Sequence, residues 1–218
     1  MVGLTAYSAQ NTLNYVVGKA MVPALPTAYL ALFTGVGTDA GTGFTEVSGA
    51  GYARVSTGNA WGAAQGVSPS SITNSSAAVT FPTANASWGN IIAWGLYDAA
   101  VGGNLLAWDF LGADPWFPFS AVAGSPGVIT APGITAGSTP TLANGSLVAF
   151  TAEFGGALPV GLTALQIYTV SGLSSDVFNV GTTFTSVGSG MVRQLTSQVI
   201  PGGVTAVFNT SSLTLLVS

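Results

Sequence analysis

Residues 90–110 read NIIAWGLYDAAVGGNLLAWDF. Two apolar runs, 90–97 and 104–110, flank the segment Asp98-Ala99-Ala100-Val101-Gly102-Gly103, where an aspartate can accept backbone hydrogen bonds and glycines supply positive φ. The pattern predicts an antiparallel hairpin. Trp88, Trp94, Trp108 and Trp116 lie in or beside it and are expected to make the bulkiest core contacts.

Outward from the hairpin, short apolar runs recur between clusters of Gly, Pro, Asn and Ser, the rhythm of a sandwich or barrel. Strands are predicted at 27–34, 52–56, 76–81, 146–151, 165–170, 176–180, 190–195, 203–208 and 212–217, making eleven with the hairpin pair. One helix is predicted over about residues 5–20: Leu13, Val16, Val17 and Ala20 recur at helical spacing, Thr5 or Ser8 can cap it, and Pro23 closes it. Its apolar stripe is expected to pack on a sheet, with a partner-docking arm as the alternative. The fold class is all-β: a sandwich- or barrel-like core with one N-terminal helix. Pro115, Pro118, Pro126, Pro132 and Pro140 fall close together beside many Gly and Ser, which predicts an irregular, extended inter-domain crossing.

Composition narrows the chemistry. Ten of 218 residues are charged: Lys19, Arg54, Arg193, Asp39, Glu46, Asp98, Asp109, Asp114, Glu153 and Asp176. This 5% compares with about 25% in ordinary soluble domains. A surface so poor in charge is weakly protected against association, which points to coverage by neighbouring subunits. With a net charge of −4 and three basic residues, the chain cannot neutralise a run of phosphates, so no nucleic-acid partner is expected. No uninterrupted apolar stretch reaches the roughly 18 residues of a spanning helix, and the start MVGLTAYSAQNTLNY lacks the basic and apolar blocks of a signal peptide. No membrane association is expected, and an outer-membrane barrel is disfavoured on the same grounds and by short, irregular strands.

There is no cysteine or histidine, so thiolate sites, disulfides and the commonest acid–base group are missing. No cofactor or metal is expected. Asp98 and Asp109, flanking the hairpin, are the best available carboxylate pair for a glycosidase, but a turn residue and a strand-end polar group explain them better. Gly35-Val36-Gly37-Thr38-Asp39-Ala40-Gly41 lacks the lysine of a phosphate loop and reads as a flexible loop. Asn74, Asn85, Asn144 and Asn209 begin N-x-[ST] triplets that reflect the abundance of those residues. Glu46 and Arg54 lie on either side of VSGAGYA at a spacing that suits a cross-strand ion pair. Arg193 is assigned Asp176 or Glu153 as its partner. Trp116, Phe117 and Phe119 in DPWFPFS are candidate contact residues for a glycan, because the flanking prolines disfavour a core strand, but packing in the core or at a subunit interface is the preferred reading.

The blocks YLALFTGVGTDAGTGFTEVSGAGYAR (29–54), VTFPTANASWG (79–89) and DAAVGGNLL (98–106), in that order after an N-terminal helix, resemble short bacteriophage virion proteins of the tail fibre-like or minor virion type. In that family the GGNLL hairpin is soon followed by a Gly-turn and an alternating last strand. Here the matching end, QVIPGGVTAVFNTSSLTLLVS (198–218), comes late. The resemblance therefore implies a discontinuous core, 1–113 plus 197–218, and an inserted β domain, 114–196. The segment 157–190 is similar to a small β module inserted in phage head and tail proteins. The implied role is a non-enzymatic virion protein, assembled in the bacterial host cytoplasm, that decorates or cements the capsid or belongs to the tail. Its partners would be other head or tail proteins and copies of itself, with a trimer expected; a glycan-binding tail adhesin is the alternative.

Overall fold

In the computed structural model, residues 3–19, 27–38, 40–66, 70–112, 115–152 and 156–217 are described. Among the described residues the fold is mostly β with two short helices. The chain divides into two compact units, Met1–Leu111 with Ser197–Ser218, and Gly112–Thr196.

The first unit opens with β1 (Gly3–Leu4), α1 (Ala6–Val16), β2 (Tyr29–Gly35), β3 (Thr45–Glu46), β4 (Val55–Ser56), β5 (Ser70–Thr73), β6 (Val79–Thr83), β7 (Gly89–Ile91), β8 (Ala93–Tyr97) and β9 (Leu105–Phe110). Its main sheet runs β1-β9-β8-β2-β3, with β4 also paired to β2. The expected hairpin is β8–β9, in antiparallel register from Ala93↔Phe110 to Tyr97↔Leu105. The sheet is covered on both faces, which is why YLALF reads as an unbroken apolar run rather than an alternating one. Leu30, Leu32, Trp94 and Leu96 face a core shared with Val79, Phe81, Trp88 and Ile91. On the other face Phe33, Phe44, Trp108 and Phe110 form a chain of rings with centroids 4.8–5.3 Å apart. Gly95 lies on this second face, where a Cβ would come within 2.6 Å of the Phe33 ring and 2.8 Å of Leu105, so no side chain fits.

The second unit holds β10 (Phe117–Val122), β11 (Val128–Thr130), α2 (Ile134–Gly137), β12 (Leu147–Thr151), β13 (Ile167–Thr169), β14 (Ser171–Ser174), β15 (Val177–Asn179) and β16 (Gly188–Leu195), in one antiparallel sheet of order β13-β12-β16-β10-β11-β15-β14. Phe119, Ile129, Ile134, Val148, Phe150, Phe178, Phe184 and Val192 fill its core. The chain enters and leaves this unit side by side. A Cβ on Gly112 would lie 2.5 Å from Thr196 Oγ1, and Arg193 Nη2 donates to the Gly112 carbonyl at 3.2 Å. Closely spaced ends of this kind let a domain be carried in a loop at little cost to its host.

The last strands, β17 (Gln198–Ile200), β18 (Thr205–Phe208) and β19 (Thr214–Val217), return to the first unit and pair with β7, β6 and β5. Asn74 holds this return in place. Its fully buried side chain donates to the Asn209 carbonyl at 2.8 Å and accepts from Leu213 N–H at 2.8 Å.

Three expectations are corrected. The Pro-rich segment is not an irregular crossing: it forms β10, β11 and α2 and supplies Phe119, Ala121, Ile129, Ala131 and Ile134 to the core. Proline is tolerated because Pro118 lies where β10 pairs with β16 alone; β11 joins only from Ser120 onward. The helix ends at Val16, with Ala20 and Pro23 outside the described residues, and no α1 side chain is buried, so its stripe does not pack on the sheet. Trp116 belongs to the second unit and is half-buried, whereas Trp88, Trp94 and Trp108 are buried in the first.

In the second unit the turn before β15 carries an electrostatic clamp. Asp176 accepts from the N–H groups of Gly133 (2.8 Å) and Thr135 (3.0 Å) at the start of α2. The Gly133 N–H, then the Thr135 N–H, hold this carboxyl below its usual range. A depressed folded pKa contributes stability that is complete above the unfolded value, about 3.9, and is lost as pH falls through the folded one. Urea unfolding between pH 5 and 2 should therefore show the second unit losing stability below about pH 4. Asp176→Asn should flatten that slope. Equal slopes in the two proteins would show that the carboxylate plays no such part.

Candidate functional site

The blocks that single this sequence out converge on one residue. Arg54, at the approach to β4, reaches Glu46 on β3: Nε donates to Oε1 at 2.8 Å and Nη2 to Oε2 at 2.7 Å. This two-pronged geometry suits the planar guanidinium and carboxylate. Nη1 turns the other way and donates to the carbonyls of Gly102 (2.6 Å) and Ala99 (3.1 Å) in the β8–β9 loop. The guanidinium carbon stands 3.4 Å from the centre of the Tyr97 ring, a cation–π contact. Tyr52 completes the group: its hydroxyl donates to Glu46 Oε1 at 2.9 Å and accepts from Leu32 N–H at 3.0 Å.

The loop clamped by Arg54 is also closed by its own residues. Asp98 accepts from Asn104 N–H at 2.6 Å and from the Asn104 amide at 2.8 Å. Gly102 and Gly103 take φ of 64° and 75°, the left-handed region the turn requires.

Burial and charge shape the titration of the cluster. Burial opposes the charged Arg54, but Glu46 outweighs it and holds the guanidinium above its ordinary value. Burial, with Arg54 pulling the other way, raises the Tyr97 phenol. Burial also pushes the Tyr52 phenol far above its usual range, despite the hydrogen bond from Leu32. Both phenols are therefore neutral at physiological pH. A shallow open cleft of about 310 Å³ lies beside them, bordered by Tyr7, Gly41, Arg54, Tyr97, Asn104 and Leu105.

This arrangement positions a loop; it does not assemble a reaction centre. Asp98 is engaged in its turn, and Asp109 lies five residues beyond Asn104 on β9, on the order of 17 Å along the strand. That is well outside the roughly 5–9.5 Å that glycoside hydrolysis uses, so the two carboxylates do not form a catalytic pair. Among the described residues no group of three or more acidic side chains could hold a metal ion.

The remaining candidates fall in the second unit. Phe119 is buried in its core and Phe117 packs against that core from a half-buried position, so DPWFPFS is not an exposed aromatic shelf. Trp116 is half-buried, with the Arg193 guanidinium 5.4 Å from its ring centre. Asp176 spends its two oxygens on Gly133 and Thr135, and Glu153 lies outside the described residues. Two residues escaped the sequence reading. Tyr52 was visible only as the first residue of the predicted strand 52–56 and as part of the GYAR block, and Asn74 was taken for a chance N-x-[ST] triplet although its side chain is structural and fully buried.

No curated protein matches the chain. A family model does: the one described as podophage GP4 fiber I protein gp80 matches residues 3–114, just over half the chain, and this span contains α1 and the entire Arg54 cluster. The chain therefore belongs to this family of phage fibre proteins and is a fibre-like, structural component of a bacteriophage virion.

Proposed function

We propose that this protein is a tail-associated structural component, built into the fibre apparatus through protein–protein contacts and carrying its second β unit as an added module. The observation that carries the reading is the match to a phage fibre family over 3–114, which stops where the second unit begins. The chemistry of the chain supports it. A molecule with ten charged residues, and with the bidentate Arg54–Glu46 ion pair turned to loop positioning, is suited to burying area against neighbours rather than to turnover. Its charge also suits it poorly to nucleic acid. The second unit offers a contact face of its own: Val122 and Val128 are cross-strand partners and exposed, and Val177, opposite Thr130 on the next strand, is exposed as well. The glycan-adhesin alternative is weakened by the burial of Phe119 and the partial burial of Phe117.

Cryo-electron microscopy of the intact particle tests the proposal. Density fitting both β units at the tail is expected. Density spread in many copies over the shell's subunit junctions would replace the proposal with a capsid-cementing role, and a particle without this chain would end it.

A further inference from the structure

Asn144-Gly145, in the turn that leads into β12, is the single Asn-Gly pair among the ten asparagines of the chain. With no Cβ on the glycine, its backbone nitrogen can close on the asparagine side chain, which makes this pair the most reactive setting for loss of a side-chain amide. Both residues are exposed, and open space lies where a Cβ on Gly145 would stand.

The fold holds each reacting atom elsewhere. Ser146 N–H donates to the Ala143 carbonyl at 3.0 Å, and Gly145 takes a φ of 92° while Asn144 stays out of the left-handed region. This is a type II turn, which sets ψ of its second residue, Asn144, near about +120°. The Gly145 N–H donates to the Val170 carbonyl at 2.8 Å, and Val170 N–H donates to the Ser146 carbonyl at 2.9 Å. The Asn144 side-chain oxygen accepts from Leu173 N–H, on β14, at 2.9 Å. These three bonds form a seam between the turn and the chain that passes from β13 to β14. Bringing Asn144 Cγ onto the Gly145 nitrogen requires rotation about Asn144 ψ, and that rotation breaks the bonds to Val170 and Leu173 together.

We infer that Asn144-Gly145 is a site of spontaneous covalent modification, held off by this seam while the second unit is folded and released when the seam opens. The chemistry needs only water. The Gly145 nitrogen gives up its proton and attacks Asn144 Cγ. The new N–C bond forms as the bond from Cγ to the amide nitrogen breaks, and that nitrogen departs with the proton as ammonia. Water then opens the five-membered imide at one of its two carbonyls, leaving aspartate or isoaspartate. Aspartate keeps an oxygen acceptor for Leu173. Isoaspartate routes the backbone through the side chain and adds a methylene to the turn. An opening of the seam, which costs less than unfolding the whole unit, thus leaves a permanent record in the chain.

This inference goes beyond the fibre reading and is tested without it. The full-length protein is incubated in mildly alkaline buffer, with and without guanidinium chloride, and peptide mass mapping follows each asparagine. In denaturant the amide-to-acid mass gain should reach Asn144 ahead of every other asparagine. In the folded protein it should be at least about tenfold slower, the factor that an opening free energy of about 1.4 kcal/mol supplies. Asn144→Ala should raise hydrogen exchange at the Leu173 amide, whereas Asn144→Asp, which retains the acceptor, should not. Equal rates with and without denaturant would overturn the inference. A faster reaction in the folded protein would do the same, since Leu173 N–H would then be activating the side-chain carbonyl. No mass gain at Asn144 in denaturant would remove the site, and a Leu173 amide equally protected in Asn144→Ala would remove the seam.

Discussion

Arg54→Ala is expected to lower the stability of the first unit by about 2–3 kcal/mol. The side chain is 9% exposed and that of Glu46 25%. Removing one member of a fully buried pair costs about 3–5 kcal/mol, because the other charge is left desolvated; the quarter of Glu46 still in water reduces that figure. The substitution also unties the carbonyls of Ala99 and Gly102 and uncovers the Tyr97 ring. Arg54→Lys keeps the charge but not the fork, so it should recover less than half of the loss. Urea unfolding followed by tryptophan fluorescence is the measurement, since four of the five tryptophans, at 61, 88, 94 and 108, lie in this unit. A loss below about 0.5 kcal/mol would reduce the cluster to an ordinary surface pair. Hydrogen exchange in 98–104 should rise in Arg54→Ala, because the guanidinium is what ties that loop to the β3–β4 side of the sheet.

The same cluster shows what could be read in the chain beforehand. Glu46 and Arg54 were recognisable as partners because eight residues with two central glycines suit a turn that brings their ends together. That Arg54 also clamps a loop more than forty residues away was not readable, because the contact goes to two backbone carbonyls, which carry no sequence signature. The eleven predicted strands all have counterparts, with ends shifted by a few residues, and one apolar run, 90–97, divides at Ile92 into β7 and β8. The hairpin was the clearest of them, since its turn chemistry lies wholly in 98–103.

The sequence reading failed where a local rule met a tertiary exception. Five prolines in one segment argued for irregular chain, yet Pro118 is accommodated where its strand has a neighbour on one side only. The helix failed in the opposite direction. Its apolar spacing was correct, but spacing does not say what meets the stripe, and the chain's own sheet does not. Short strands such as β3, β14 and β17 went unseen because two to four residues are too few to display an alternation.

Phe119→Ala is the substitution with the largest expected effect, a loss of about 3–5 kcal/mol in the second unit. Its ring meets Phe150 edge-on at 5.1 Å, and Phe150 in turn meets Tyr168 at 5.6 Å, so the ring is one end of an aromatic row through the core. Two features prevent the site from collapsing into the cavity. Phe119 stands on β10 paired with β16, one residue before β11 joins, so the registers fix the backbone, and it faces Gly190, which has no side chain to swing into the gap. Trp116→Ala provides the control. That residue precedes the strand and is half-buried, so its truncation should cost about 1 kcal/mol, chiefly the stacking with Arg193. Amide hydrogen exchange across Gly112–Thr196 measures both without interference from the first unit. An aromatic sugar-binding shelf predicts the reverse order, with both residues dispensable for folding and Trp116 foremost in binding. A Phe119→Ala protein whose protection in β10, β12 and β16 is unchanged would therefore return DPWFPFS to the list of ligand contacts. The expected collapse of protection in those strands would leave the segment as the inner wall of a core.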